Sequence, residues 1–190
     1  MNRLLNPALL IDAAPLALCF TYAALGVAGL GHGPASPPII ALSAVLGSAL
    51  LLLSTIDLRT LRLPDRITLP LTFVGPLLAY GFGWGGLLWH VASAAVGYAV
   101  LVAFAYAYAA LRARDGLGRG DAKLFAAAGG WLGMECLPSV LLWATGIALA
   151  MVMFSALLRL PVSGTSKIPF GPFLALGFWL VWLFGPLGLS

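Results

Sequence analysis

The sequence has 190 residues, of which 62% are hydrophobic and only 8% are charged. Soluble domains average roughly 25% charged residues, so the composition excludes a soluble globular protein and indicates an integral membrane protein with several spans. The formal net charge of +4 indicates basic loops at a cytoplasmic face, and nothing in the sequence resembles a nucleic-acid-binding surface. No polar stretch is long enough for a separate soluble domain.

Apolar segments follow one another along the whole chain and predict an all-α, polytopic membrane helix bundle with about six or seven transmembrane helices. The segments are Pro7–Leu30, Pro38–Ile56, Ile67–Tyr80, Leu87–Leu111, Asp121–Met134, Leu137–Leu158 and Phe170–Leu187. A full crossing needs about 20 helical residues, so the third and fifth segments are short. The first segment is too long for the apolar core of a signal peptide, and we expect a retained span.

The basic residues predict the orientation. With the N-terminus inside, all of them fall on the cytoplasmic side, as the positive-inside rule requires. They are Arg3, Arg59, Arg62, Arg66, Arg112, Arg114, Arg119, Lys123, Arg159 and Lys167. The opposite side keeps His32, His90 and Glu135, and we assign neither histidine a role. The sequence therefore predicts a multi-pass protein with a cytoplasmic N-terminus.

Asp57 and Asp121 stand out because each lies at the cytoplasmic end of an apolar segment. Acidic residues at membrane depth are costly unless they are paired, hydrated or functional. From Asp121 to Glu135 there are 14 steps (135 − 121), or about 21 Å of helix, against a hydrocarbon core of about 30 Å. We therefore expect Asp121 to lie several ångströms below the interface, in a water-filled notch.

A structural interpretation exists for Asp121, which lies in the motif Gly118-Arg119-Gly120-Asp121. The acid can be an N-cap for the helix that follows, with Gly118 and Gly120 as loop residues. The same two glycines would let a peptide substrate approach the backbone closely. Lys123 is not expected to pair with Asp121, because residues two apart point to different helix faces, and we expect it to extend toward the interface.

Asp57 falls at the C-terminal end of its helix, where the macrodipole disfavours a negative charge by about 0.3–1 kcal/mol. Arg59, Arg62 or protonation of the carboxyl would compensate, so a structural role stays open here too. Asp65, which follows Pro64, is interpreted as an ordinary helix cap.

Two weaker patterns concern packing. The spacing Gly129-Gly130-Trp131-Leu132-Gly133 favours close helix contact behind the Asp121 helix. The segment Ile168–Phe173 is either a helix start with proline in its first turn or a rigid, partly unwound stretch that accepts an extended substrate. Four tryptophans are interpreted as interfacial or packing aromatics, namely Trp84, Trp89, Trp179 and Trp182.

Two carboxylates that share one site cannot both ionise cheaply, so one pKa rises and the pair supplies one acid and one base around a bound water. This is the chemistry of aspartic-type peptide hydrolysis. The sequence offers no Ser-His-Asp set, no His pair at metal spacing and no phosphate-binding glycine loop. Cys19 and Cys136 do not form a paired CxxC zinc site, and we expect no metal and no cofactor.

Three blocks of the sequence resemble the type IV prepilin peptidases, membrane aspartyl proteases with a GxGD motif. They are Asp57-Leu58-Arg59 with Leu63–Leu71, then Gly118–Leu124, then Lys167–Ala175, within about residues 40 to 190. The resemblance implies a single integral-membrane peptidase domain over residues 1–190, with Asp57 and Asp121 as the catalytic aspartates. The residues expected to bind substrate are Gly118, Gly120, Lys123, Pro169, Phe170, Gly171 and Pro172.

The resemblance also implies a location, a reaction and partners. The enzyme would lie in the bacterial inner membrane and would cut type IV prepilin or pseudopilin precursors on the cytoplasmic side, after the glycine that ends their basic leader. The apolar helix of the precursor would stay among the membrane lipids, against the enzyme. Many family members carry an N-terminal region with paired CxxC zinc ligands and methylate the new N-terminus. This chain departs from that pattern, so we expect a peptidase without methyltransferase activity.

Two other functions stay open. A small proton-coupled transporter would use Asp57 and Asp121 to bind protons or cations, although both acids lie near one face and no internal repeat is visible. An inactive pilus or secretion assembly factor would keep the fold alone, although the presence of both aspartates argues against it.

Overall fold

The computed structural model describes residues 18–19, 21–24, 26–27, 36–112, 118–157 and 169–188. Within these ranges the regular structure is helical, without strands, which confirms the predicted all-α bundle. The helices are α1 (Pro37–Thr60), α2 (Asp65–Gly81), α3 (Leu87–Arg112), α4 (Arg119–Leu132), α5 (Leu137–Leu157) and α6 (Gly171–Phe184). A 3₁₀ turn, Met134–Cys136, leads into α5. Most of the predicted first span, together with Arg3, His32, Arg114, Arg159 and Lys167, lies outside the described residues.

Three helices in the described part of the chain are long and apolar enough to cross a membrane. They are Pro37–Thr60, Leu87–Leu111 and Met134–Leu157. In the most apolar stretch of each helix, at most a third is buried inside the protein. The helices α2, α4 and α6 have 17, 14 and 14 residues. The prediction that the third and fifth apolar segments are short is therefore confirmed.

The interior of the bundle is formed mainly by α4 and α6. Ten of the 14 residues of α4 are buried, and α4 packs against α2, α3, α5 and α6. Gly129 lies against the carbonyl oxygen of Ser93 in α3, so closely that a Cβ would overlap it. A Cβ on Gly130 would lie 3.2 Å from the carbonyl oxygen of Thr72 in α2. The packing role predicted for this glycine motif is confirmed.

Buried polar groups of the core bond across helices. Trp131 Nε1 donates to the carbonyl oxygen of Leu71 at 2.8 Å, and Trp182 Nε1 donates to Ser43 Oγ at 2.9 Å. Trp179 is buried, whereas Trp84 and Trp89 are 42% and 46% exposed, in line with the mixed packing and interfacial roles predicted for these aromatics.

The connection between α1 and α2 shapes one end of the bundle. Leu61 ends α1 with a φ of 52°, and its N–H donates to the carbonyl oxygen of Asp57 at 2.8 Å. Pro64 then occupies the N-cap position of α2. The prediction that Asp65 caps this helix is wrong, because Asp65 is the first helical residue and makes no capping hydrogen bond. Its carboxylate is free to bind a side chain of another helix.

Candidate active site

A cavity of about 340 Å³ opens at this end of the bundle. It is lined by Asp57, Leu61, Arg62, Leu63, Asp65, Gly118, Arg119, Gly120, Asp121 and Lys123. The walls therefore come from the end of α1, the start of α2 and the start of α4. The fold brings Asp57 and Asp121, which are 64 positions apart (121 − 57), into one cavity.

Asp57 is held by the start of α6. Its side chain is 5% exposed, and its Oδ2 accepts the N–H of Gly171 at 3.1 Å. Gly171 is the first residue of α6, where backbone N–H groups lack partners within the helix and the macrodipole is positive. A Cβ on Gly171 would lie 2.6 Å from Asp57 Oδ2. Only glycine therefore allows this close approach.

The hydrogen bond from the Gly171 N–H explains how the Asp57 carboxylate is tolerated at the C-terminal end of α1. In the described part of the chain the ion pair is Lys123–Asp65, and Asp57 pairs with neither Arg59 nor Arg62. The compensating charge is instead the N-terminus of α6. The negative end of one helix and the carboxylate it carries thus meet the positive end of another helix.

Asp121 is held by its own helix. Gly118 is the N-cap of α4, and Asp121 occupies the third helical position. Its Oδ2 accepts the N–H of Gly118 at 3.2 Å, and its own N–H donates to the carbonyl oxygen of Gly118 at 3.1 Å. The interpretation of Asp121 as the N-cap is wrong in position. A capping contact nevertheless exists, and the same side chain lines the cavity.

The electrostatic setting of Asp121 favours its protonated form. Asp121 lies in α4, outside the three helices that are long enough to cross a membrane. Burial, and to a smaller extent the negative charge of Asp57, raise the pKa of its carboxyl from 3.8 to about 7, and the Gly118 N–H opposes both. A carboxyl with this pKa can exchange a proton near neutral pH, which is what general acid–base catalysis needs.

The other predicted site residues divide into two groups. Gly118, Gly120 and Lys123 line the cavity with the aspartates. Pro169, Phe170, Gly171 and Pro172 do not belong to its lining. Of these four, the first two are half-buried and the last two are buried. The segment before α6 therefore reaches the site through the contact of Gly171 with Asp57.

Lys123 binds an acidic residue that the sequence interpretation did not connect with it. Its Nζ lies 2.5 Å from Asp65 Oδ1, and the two side chains are 26% and 57% exposed. Lys123 does not pair with Asp121, as predicted, but Asp65 rather than the membrane interface is its described partner. Opposite charges in the first turns of α2 and α4, at the same end of the bundle, allow such a pair, but the sequence does not give the helix rotation that brings the two side chains together.

His90 also has a role that the sequence interpretation missed. It is 4% exposed, and its Nδ1 lies 3.0 Å from the carbonyl oxygen of Gly130. The bond ties α3 to the glycine-rich end of α4, remote from the cavity. His90 is therefore a structural residue.

Comparison with known proteins shows the family. A model of the type IV leader peptidase family matches residues 44–155, which include both aspartates. The prepilin leader peptidase/N-methyltransferase of Aeromonas hydrophila is 40% identical over 136 residues, or 72% of this chain and 47% of that protein. The protein of the same name from Escherichia coli (strain K12) is 38% identical over 166 residues, or 87% of this chain and 71% of that protein.

The extent of these matches differs between relatives. The chain also covers 46% of the Burkholderia pseudomallei (strain K96243) protein of that name, at 40% identity, so it spans about half the length of several curated relatives. No solved structure gives a significant match. Because the family model covers more than half of the chain and the Escherichia coli protein is matched over more than two thirds of its length, this chain belongs to the type IV leader peptidase family.

Proposed function

We propose that this protein is a membrane aspartyl endopeptidase that removes the leader peptide from type IV prepilin or pseudopilin precursors. The observation that carries the proposal is the shared cavity, in which Asp57 of α1 and Asp121 of α4 line one polar wall. Membership of the leader peptidase family supports the substrate class. The aspartic mechanism rests on the two buried carboxylates.

In the proposed mechanism Asp121 holds the proton that the two carboxylates share, since its pKa of about 7 keeps it partly protonated at neutral pH. Asp57 is ionised and takes a proton from a water molecule, whose oxygen attacks the scissile carbonyl carbon. The carboxyl of Asp121 donates a hydrogen bond to the carbonyl oxygen and stabilises the tetrahedral intermediate. Asp57 then passes the proton that it took from water to the amine nitrogen as the C–N bond breaks, so that Asp57 is ionised again, Asp121 keeps its proton and the new N-terminus leaves.

The substrate lies along the glycine side of the cavity in this proposal. Gly118 and Gly120 line the cavity without side chains, so an extended peptide can approach their backbone. Pro169 and Phe170 stand directly before Gly171 and do not line the cavity, so in this proposal they contact the part of the substrate that extends beyond it, on the side of Asp57. Gly171 and Pro172 are buried, so they act by holding Asp57 and the start of α6.

The cavity end of the bundle faces the cytoplasm of a bacterial cell with the protein in the inner membrane. Arg62, Arg119 and Lys123 line the cavity, and Arg59 and Arg66 lie near the same end, in the last turn of α1 and the first turn of α2. Basic residues concentrate on cytoplasmic loops. The apolar helix of the precursor then lies among the lipids against the enzyme.

The proposal covers leader removal alone. The names of the relatives also include N-methyltransferase, and we do not extend methyl transfer to this chain. The same experiment tests both activities, because mass spectrometry of the processed N-terminus reports the cleavage position and any methyl group together.

The test is co-expression of the chain with candidate precursors, namely a type IV pilin, a secretion pseudopilin and an Flp-type pilin. We expect one class to be cut, and we expect Asp57→Asn and Asp121→Asn to lower the rate about 10³-fold or more while the protein still inserts. Glu135→Gln, at the far end of α4, is the matched control and keeps the wild-type rate. Wild-type processing by either Asp→Asn variant, or no cleavage of any precursor, contradicts the proposal.

A further inference from the structure

A flexible cation lines the same cavity as the two proposed catalytic carboxylates. Lys123 follows Asp121 by two residues and belongs to the cavity wall. Its ammonium sits on a four-carbon stem with many rotamers. An ammonium that reached either carboxylate would favour the ionised form of both. The proposed mechanism needs one protonated carboxyl, so a free Lys123 would inhibit it.

The structure shows where Lys123 is held instead. Its Nζ binds Asp65 Oδ1 at 2.5 Å, between the first turns of α4 and α2. Its backbone carbonyl accepts the hydroxyl of Thr72, also in α2, at 3.3 Å. Residues two apart on a helix point to different faces, so Lys123 turns to α2 while Asp121 turns to the cavity shared with Asp57.

The remaining charges of the cavity do not compete for Asp65. The charged groups of its wall are Asp57 from α1, Arg62 from the α1–α2 connection, Asp65 from α2, and Arg119, Asp121 and Lys123 from α4. The described residues of α3 and α6 contribute none to this wall. Within the described chain Lys123 alone forms an ion pair with Asp65.

We propose that Asp65 is a positioning residue that sequesters Lys123, so that the ammonium stays away from Asp57 and Asp121 and the pair retains its shared proton at neutral pH. The inference deepens the proposed function and rests on it. Asp65 itself takes no part in proton transfer. Its role is electrostatic and acts through Lys123.

The test follows the proton on Asp121 directly, without substrate. The full chain is reconstituted in lipid vesicles, and the infrared absorbance of protonated carboxyl groups is measured against pH. The contribution of Asp121 is the part of the band that Asp121→Asn removes. We expect its midpoint near pH 7 in the wild type and about half to one pH unit lower in Asp65→Asn.

The double variant Asp65→Asn/Lys123→Met distinguishes this role from a merely structural one. Without Lys123 the ammonium that Asp65 holds is gone, so the midpoint returns to the wild-type value although the ion pair is still missing. Lys123→Arg keeps the pair and the wild-type midpoint. Glu135→Gln makes the same charge change as Asp65→Asn at the other end of α4, and it leaves the midpoint in place.

Precursor cleavage gives the second measurement. The alkaline limb of the kcat–pH profile moves with the infrared midpoint, so Asp65→Asn lowers kcat about three- to tenfold above pH 7 and leaves KM unchanged. Three results would overturn the inference. They are a wild-type midpoint in Asp65→Asn, a shift that persists in the double variant, and a wild-type band without an Asp121 component. A chain that cuts no precursor overturns the proposed function, while the infrared titration still decides the role of Asp65.

Discussion

Both carboxylates of the cavity belong to buried residues, 5% exposed for Asp57 and 7% for Asp121, but they are held by different helices. Asp57 accepts its backbone N–H from Gly171, which is 114 positions away and belongs to another helix. Asp121 accepts its N–H from Gly118, three positions earlier in the cap of its own helix. The position of Asp57 therefore depends on how α6 docks against α1, whereas the position of Asp121 depends on how α4 begins.

The difference extends to the helix dipoles. Asp121 lies in the first turn of α4, where the dipole favours a negative charge, and Asp57 lies near the end of α1, where it does not. The N-terminus of α6 reverses the disadvantage for Asp57. Both side chains thus meet the positive end of a helix, and the asymmetry that an acid–base pair needs comes instead from the burial that raises the pKa of Asp121.

Disrupting the contact between Gly171 and Asp57 has the largest expected effect. In Gly171→Ala the new Cβ would lie 2.6 Å from Asp57 Oδ2, so the carboxylate must move or α6 must withdraw. A displacement of about 1 Å at a catalytic group costs about a hundredfold in kcat, and we expect at least that loss in a precursor cleavage assay.

The matched control for Gly171→Ala is Gly146→Ala in α5, where a Cβ meets no atom within 4 Å. Cleavage by Gly146→Ala should equal that of the wild type. If Gly171→Ala cleaves precursor at the wild-type rate while inserting normally, Asp57 does not depend on α6.

Disturbing the start of α4, which holds Asp121, has a smaller expected effect. Gly120 immediately precedes Asp121, and a Cβ there would lie 2.8 Å from Leu63 Cβ. Because Leu63 belongs to the short α1–α2 connection, part of the overlap can relax. We expect Gly120→Ala to lower kcat about tenfold. Gly81→Ala, at the end of α2 in open space, is the control, and equal rates for the two variants would contradict the expectation.

The smallest expected effect is the pH dependence of stability that comes from the Asp121 carboxyl. The folded-state pKa of Asp121 is about 7, above its ordinary 3.8, so between these values the folded chain binds more protons than the unfolded chain. Stability from this group is present below about pH 4 and is lost as pH rises to about 7. Asp121→Asn has no such loss, since its amide oxygen still accepts the Gly118 N–H.

We therefore expect Asp121→Asn to unfold about 10 °C above the wild type at pH 8, measured by intrinsic fluorescence in detergent, with the difference disappearing near pH 4. Glu135→Gln serves as the reference for the loss of one exposed acid. A constant difference between Asp121→Asn and the wild type across this pH range would show that Asp121 does not titrate there.

The sequence predicts that Asp57 and Asp121 lie at the same end of the bundle. Successive apolar segments alternate in direction, and Asp57 ends one segment while Asp121 begins another. The helix ends were less predictable. The second apolar segment ends at Ile56, but α1 continues to Thr60, since backbone hydrogen bonding extends into polar sequence until Leu61 adopts a positive φ.

The contacts that hold the site were not predictable from one sequence. Gly171 meets Asp57, Lys123 meets Asp65, and His90 meets the Gly130 carbonyl, and each depends on the rotation and depth of two packed helices. Periodicity gives the buried face of a helix, but it does not give its partner. The residues proposed to carry the chemistry were therefore visible in the sequence, whereas those that orient them were not.

The short central helix has a consequence for the barrier function of the bilayer. Directly below Asp121, Leu124 and Phe125 are 0% and 2% exposed, and Ala127 and Ala128 are fully buried. Water that enters the cavity from one side is therefore stopped by closely packed apolar side chains. In the proposed orientation, a cell can keep the proposed hydrolytic site open to its interior without dissipating the proton gradient across the same membrane.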